Sequence, residues 1–208
     1  HLGYIKRVPV AEYRAQGRGG RGTRAMETRD EDFVNQIFVA RSHQHVLFLS
    51  DKGKAYLKKI YEIPQAARAG RGRAIVNFVG FEADEKVAAI VPIVEFSEGK
   101  FLLTCTRNGT VKRTSLDAYA NIRQSGIIGV LIDEGDALLA ARVIGEGAHV
   151  VIGTARRMSI RFPIADVRPM GRASTGVRGI DLRDGDHVIG MDVIEDAVAQ
   201  QVLTVSAN

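Results

Sequence analysis

The chain has a single cysteine in 208 residues, Cys105, so no disulfide can form within it, which fits a reducing cytoplasm. No run of about twenty apolar residues occurs. The most apolar windows, 87–94 and 150–154, are strand-sized and interrupted, so neither a membrane span nor a signal peptide is expected. Long helical periodicity is also missing, which leaves strands as the main element. No Walker A sequence, GxSxG elbow or HExxH helix is present, and no plausible catalytic centre is found. His43 and His45 stand two apart, on one face if the segment is a strand. A histidine pair can begin a zinc site, but no third ligand follows at suitable spacing and the only thiol is remote. Surface histidines are the expectation.

What is present is a repeat. One anchor is a glycine before a short basic strand: Gly3-Tyr4-Ile5-Lys6-Arg7, Gly53-Lys54-Ala55-Tyr56-Leu57 and Gly109-Thr110-Val111-Lys112-Arg113, with Arg157-Met158-Ser159-Ile160-Arg161 in fourth place. A second anchor opens an apolar strand with an acidic residue: Asp32-Phe33-Val34, Glu85-Lys86-Val87, Asp136-Ala137-Leu138 and Asp186-His187-Val188. Between them lies a Gly/Ala-x-x-Gly element, at Gly19 to Gly22, Ala69 to Gly72, Gly126 to Gly129 and Gly176 to Gly179. Three anchors in the same order, four times over, at steps near fifty residues, point to the blades of a propeller-like array. With 45% hydrophobic residues the chain can bury a substantial core and is expected to be folded and soluble. Alternation in Phe101-Leu102-Leu103-Thr104-Cys105-Thr106 suggests a half-buried strand.

Charge adds to this picture through its placement. Twenty-nine Lys and Arg face 24 Asp and Glu, a formal charge of +5. Much of the basic excess sits in the glycine element: Arg18 and Arg21 in the first repeat, Arg68, Arg71 and Arg73 in the second, Arg123 in the third, Arg172 and Arg178 in the fourth. The basic strand adds Lys6 and Arg7, Lys112 and Arg113, and Arg161. A lone basic strand end is ordinarily a solvated face. In radially arranged blades, however, equivalent positions lie on one circumference, so a periodic set would form a basic belt. Such a belt suits a polyanion that follows the rim, and double-stranded DNA is the obvious one. The acidic residues Asp84, Glu85, Asp133, Glu134, Asp136, Asp184 and Asp186 read as turn formers and solubilising charge rather than catalysts. No further oxygen ligands follow them at calcium-loop spacing, so no metal site is expected.

The run Gln16-Gly17-Arg18-Gly19-Gly20-Arg21-Gly22 formally satisfies the dinucleotide pattern GxGxxG. Its context does not: the preceding Arg14-Ala15-Gln16 is polar, and the following residues 23–30 lack the apolar face of a helix packed on a sheet. What the run does offer is backbone that can approach a phosphate closely, flanked by two always-charged forks, Arg18 and Arg21.

These seven residues resemble the gyrase A box, the signature of the C-terminal domain of the DNA gyrase A subunit, usually Gln-Arg/Lys-Arg-Gly-Gly-Lys-Gly. Residues 3–7, Glu12-Tyr13-Arg14, Ile63-Pro64, residues 109–114, Asn121-Ile122-Arg123 with Gly126, and Met170-Gly171-Arg172 with Gly176-Val177-Arg178-Gly179 also resemble the family's blade motifs, so the similarity covers the whole chain. Two departures stand out: Gly17 replaces a basic residue, and Arg21 replaces lysine, keeping charge while changing its geometry.

The resemblance implies an all-β fold, a β-pinwheel whose four-stranded blades exchange strands with their neighbours, with about four repeats spanning residues 1–208 as a single DNA-wrapping domain. Family domains commonly have about six blades. Residues 203–208 match 103–108, so the chain would stop where another blade's basic strand begins, as a truncated portion or a shortened natural variant. The implied function is a noncatalytic module that bends DNA around its basic outer edge, so that ATP-dependent strand passage introduces negative supercoils. The nucleophilic tyrosine, the ATPase, and the ATP and magnesium they use would lie elsewhere, and this chain would carry no cofactor. Implied partners are duplex DNA and the remainder of gyrase, both the rest of its A subunit, which this chain would belong to, and its B subunit, in an A2B2 heterotetramer. The implied location is the bacterial cytoplasm, at the nucleoid. Implied DNA contacts are residues 16–22 with Arg14 and the periodic lysines and arginines named above. Two other readings remain: the C-terminal domain of topoisomerase IV, which shares the blades, and a propeller that recruits an acidic protein.

Overall fold

The computed structural model describes residues 3–13, 18, 33–196 and 199–200. Its strands are β1 (Tyr4–Ile5), β2 (His45–Ser50), β3 (Lys54–Lys59), β4 (Arg73–Ala74), β5 (Val87–Ile93), β6 (Phe101–Thr106), β7 (Thr110–Ser115), β8 (Ile127–Ile128), β9 (Leu138–Ile144), β10 (His149–Thr154), β11 (Ser159–Pro163), β12 (Val177–Arg178) and β13 (Val188–Ile194). The one α-helix among the described residues, α1 (Ile75–Val79), is a little over one turn long.

The repeat is a hairpin followed by two strands that part company. In the third repeat, β6 and β7 form the hairpin, β8 crosses to pair with β3 of the preceding hairpin, and β9 returns to pair with β6. The fourth repeat does the same: β12 crosses to β7 and β13 returns to β10. The second repeat sends β4 to β1 and returns β5 to β2. Two sheets are therefore complete, β5-β2-β3-β8 and β12-β7-β6-β9, while β11-β10-β13 has three strands and β1-β4 two. This is a propeller-type fold with strand exchange between blades, as the repeat and the resemblance predict.

Letters explain the geometry. Each returning strand shifts register against the first hairpin strand at the same place, at Leu49/Ser50, Cys105/Thr106 and Gly153/Thr154, always beside a Ser or Thr. Those hydroxyls accept the N–H of Lys54, Thr110 and Met158 across the turn. Gly53 and Gly109, at φ +81° and +84°, close the turns where the next repeat's chain presses in: a Cβ on Gly53 would lie 2.2 Å from the Val130 carbonyl oxygen. Arg157 takes the same left-handed conformation at φ 64° in the fourth hairpin.

The core lies between blades. Leu47, Leu49, Val91 and Ile93 of one sheet, with Val130 just after its crossing strand, meet Leu102, Leu116 and Tyr119 of the next repeat. Leu103, Cys105 and Ile144 in turn meet Val150, Ile152, Ile164 and Val188. The strand Phe101–Thr106 is thus buried along nearly its whole length, with Thr104 and Cys105 both covered. Its alternation suggested half-burial, but a blade sandwiched by two neighbours has no solvated face. Successive blades also touch through β5, β9 and β13, the edge strands opposite β8 and β12. Convergence of those returning strands marks the inner side, so the crossing strands and the loops before them form the outer side.

Candidate nucleic-acid interface

The crossing strands share a common start. Gly72, Gly126 and Gly176 each precede one, and three residues later the N–H of Ile75, Gly129 and Gly179 donates to the carbonyl of Gly3, Gly53 and Gly109 at 2.7, 2.9 and 2.8 Å. The glycine element of the second repeat is therefore Gly72 to Ile75, three residues later than Ala69 to Gly72. In this register Arg68 superposes on Arg172, four residues before the glycine, whereas Arg71, Arg73, Arg123 and Arg178 have uncharged counterparts. The charges share a region of the repeat rather than one position in it.

Arg71, Arg73, Arg123, Arg161 and Arg178 are exposed, and Arg68 and Arg172 are half-buried. Arg178 pairs with Asp181 at 3.2 Å. Arg18 is exposed, while Arg14, Gln16, Gly17, Gly19, Gly20, Arg21 and Gly22 lie outside the described residues. Exposed Arg168 stands in the same loop as Arg172 and belongs with this group. It escaped the repeat-based reading because its counterparts, Pro64 and Ala118, carry no charge.

The basic strand behaves differently, and two of its residues leave the candidate set. Lys112 is 1% exposed. Its ammonium donates to the carbonyls of Gly129 at 2.9 Å, Gly171 at 3.4 Å and Arg172. Burial, with a smaller push from Arg172, lowers its pKa to about 8. Arg113 is likewise buried, with its guanidinium 3.8 Å from the centre of the Phe101 ring and 3.8 Å from a Glu146 oxygen. Neither head group faces solvent where a phosphate could reach it. Lys6, the counterpart of Lys112, is half-buried and donates to Ala67 at 3.0 Å, Gly70 at 2.7 Å and Arg68. Arg7 is half-buried and donates from Nε to the Ile63 carbonyl at 3.3 Å. Strand pairing pulls these side chains inward because each loop of the next repeat lies across the basic strand, as the parallel bridges Arg7 to Gln65 and Arg113 to Pro169 record.

The acidic anchor is structural. Asp136 accepts the N–H of Asn108 and Ala137, and Asp186 that of Arg156 and His187, tying each hairpin turn to the returning strand. Glu85 goes further: buried, it accepts from Ser50 and Tyr56 hydroxyls at 2.8 and 2.7 Å and from the Glu82 N–H at 2.8 Å. Burial pushes its carboxyl up, but these bonds more than offset that and leave it below the ordinary carboxylate range. His43 is exposed against Tyr61, and His45 is half-buried against Phe96. No group of three or more potential metal ligands occurs among the described residues.

Comparison with known proteins decides the family. The profile of the DNA gyrase C-terminal domain, beta-propeller, matches residues 1–41, 44–93, 100–144 and 148–195, one stretch per repeat. The chain belongs to the DNA gyrase C-terminal domain family. The DNA gyrase A subunit of Staphylococcus aureus is 42% identical over 209 residues, covering 100% of this chain and 24% of that protein. The chain therefore spans about a quarter of the length of the relatives it matches. Among solved structures, the C-terminal domain of DNA topoisomerase IV superposes with a TM-score of 0.78 at 24% identity, covering 93% of this chain and 58% of that one. The DNA gyrase A C-terminal domain superposes with a TM-score of 0.66 at 22% identity, covering 91% and 61%. These likenesses establish the fold that gyrase and topoisomerase IV domains share.

Proposed function

We propose that this chain is the noncatalytic DNA-wrapping module of a gyrase A subunit, bending duplex DNA around its outer side so that ATP-dependent strand passage introduces negative supercoils. The observation that carries the reading is the set of exposed arginines, Arg71, Arg73, Arg123 and Arg178, on the loops and crossing strands of successive repeats. Tight curvature of DNA costs several kcal/mol per site, on the order of 1–6, so contacts must be spread over several blades. The box at residues 16–22 would clamp the duplex, with Arg14, Arg68, Arg161 and Arg172 guiding it. The module needs no cofactor of its own; ATP and magnesium serve the breakage and ATPase parts contributed by the B subunit together with the rest of the A subunit. The reading places the protein at the nucleoid, in the cytoplasm.

Nicked plasmid sealed by ligase with rising amounts of the chain tests the proposal. A one-signed shift in linking number is expected, and an unshifted distribution despite DNA binding would sink chiral wrapping by these repeats. Topoisomerase IV remains a second reading because its C-terminal domain shares this fold, and the 42% identity to gyrase A over the full chain opposes it. Binding to DNA that falls steeply with salt and needs duplex length would count against a platform that recruits an acidic protein.

A further inference from the structure

Lys6 and Lys112 point at the backbone of the next repeat's loop, and peptide geometry gives that contact a consequence. In a trans peptide the carbonyl of one residue and the N–H of the next point in opposite directions. Lys6 gathers the carbonyls of Ala67, Arg68 and Gly70 on one ammonium. The N–H groups across those three peptide planes, of Arg68, Ala69 and Arg71, are therefore turned away from the lysine. None of the three finds an acceptor among the described residues, whereas the neighbouring Gly70 N–H donates to Ala67 at 2.9 Å. Ala69 and Arg71 are exposed.

The fourth repeat builds the same arrangement. Lys112 holds the carbonyls of Gly171 and Arg172, which turns out the N–H of Arg172 and exposed Ala173. Its third bond, to Gly129, ties this loop to the preceding crossing strand, where the Tyr119 hydroxyl also donates at 2.8 Å. The third repeat lacks the device. Tyr56 stands in the lysine's place, its hydroxyl is spent on Glu85, and Gly126 closes over its ring. Loop 120–126 thus carries Arg123 without a lysine beneath it.

We infer that loops 67–71 and 171–173 are two phosphate sites, in which outward backbone N–H groups and the arginines Arg68, Arg71 and Arg172 take the anion while Lys6 and Lys112 act as positioning residues from below. Successive outward N–H groups in a turn form an anion-binding concavity. A guanidinium beside them adds charge-assisted bonds. The source of the phosphate is duplex DNA, a step that rests on the wrapping reading; the site itself does not.

Amide-resolved NMR of the labelled chain, titrated first with inorganic phosphate and then with a short duplex, tests this. Phosphate is expected to shift the amides of Ala69, Arg71 and Ala173 and to leave Ser125 of the third loop unmoved. Lys6→Met is expected to abolish the response of Ala69 and Arg71 and keep that of Ala173; Lys112→Met does the reverse, so each variant carries its own control for folding. The inference is overturned by silence at all three amides, by an equal response at Ser125, or by responses that survive the lysine substitutions. Should a methionine variant fail to melt cooperatively, the comparison with Ser125 in the unaltered chain decides alone. A response to phosphate but not to duplex keeps the sites and removes DNA as their ligand.

Discussion

At the residue scale, the chain spends its ionisable groups on holding blades together more than its composition suggests. Glu85 accepts three hydrogen bonds that join a hairpin, its turn and the returning strand. Removing it leaves the hydroxyls of Ser50 and Tyr56 without that acceptor. Glu85→Ala is expected to cost about 1.5–3 kcal/mol, the range for hydrogen bonds to a charged group. Its folded pKa lies below the ordinary value of 4.5, so its contribution is present above that value and is lost as pH falls through the folded pKa. Urea unfolding at a series of pH values checks both points. The gap between parent and variant should be constant near neutrality and narrow in acid; a gap independent of pH would refute the charged role. None of this was legible in Glu85-Lys86-Val87, where the acid reads as one more turn former. The Tyr56 hydroxyl that bonds it stands where the first and third repeats carry Lys6 and Lys112.

At the element scale, the three anchors of the sequence repeat correspond to real devices, the turn glycine, the carboxylate clamp and the glycine before the crossing strand, and the structure adds a fourth, the hydroxyl at the register shift. The turn glycine does two jobs that substitution separates. Gly3 has φ +80° and open space within 4 Å of where a Cβ would sit, whereas Gly53 has φ +81° and the Val130 carbonyl oxygen 2.2 Å away. Gly3→Ala should therefore cost only the left-handed penalty, roughly 1–2 kcal/mol. Gly53→Ala should cost clearly more, because backbone must move and the crossing strand β8 with it. Thermal melts of the two variants settle the comparison, and equal losses would show that close approach adds nothing. The sequence reading misplaced the second repeat's element because the Ala69-Gly70-Arg71-Gly72 stretch offers several glycines, and only the pairing of β4 with β1 selects Gly72.

At the scale of the whole molecule, blades are joined by exchange, so DNA contacts proposed on one loop are mechanically tied to the hairpin of the blade before. Arg178 is already paired with Asp181, and Arg172 is half-buried. Replacing Arg18 and Arg21 with alanine is expected to lower the slope of log affinity against log salt by about two, close to one per phosphate released. Replacing Arg172 and Arg178 should lower it by about one, and should leave more of the topoisomer shift intact. Filter binding across a salt series measures both, and equal slopes would end the division of labour between the box and the later loops.

The sequence alone determined the repeat, the strand-rich class, the family and the side of each repeat on which cations gather, because period, turn chemistry and the glycine run are local and survive without neighbours. Tertiary structure decided which cations remain available. Lys112 and Arg113 read as surface charge in Gly109-Thr110-Val111-Lys112-Arg113, yet the loop of the next repeat lies across that strand and takes both inside. A strand's letters carry its own alternation, but not the chain that will cover it from another blade. Exchange of strands between blades is what brings the next repeat's loop over Lys6, Arg7, Lys112 and Arg113 and turns these four members of an apparent basic belt toward its backbone or into the core.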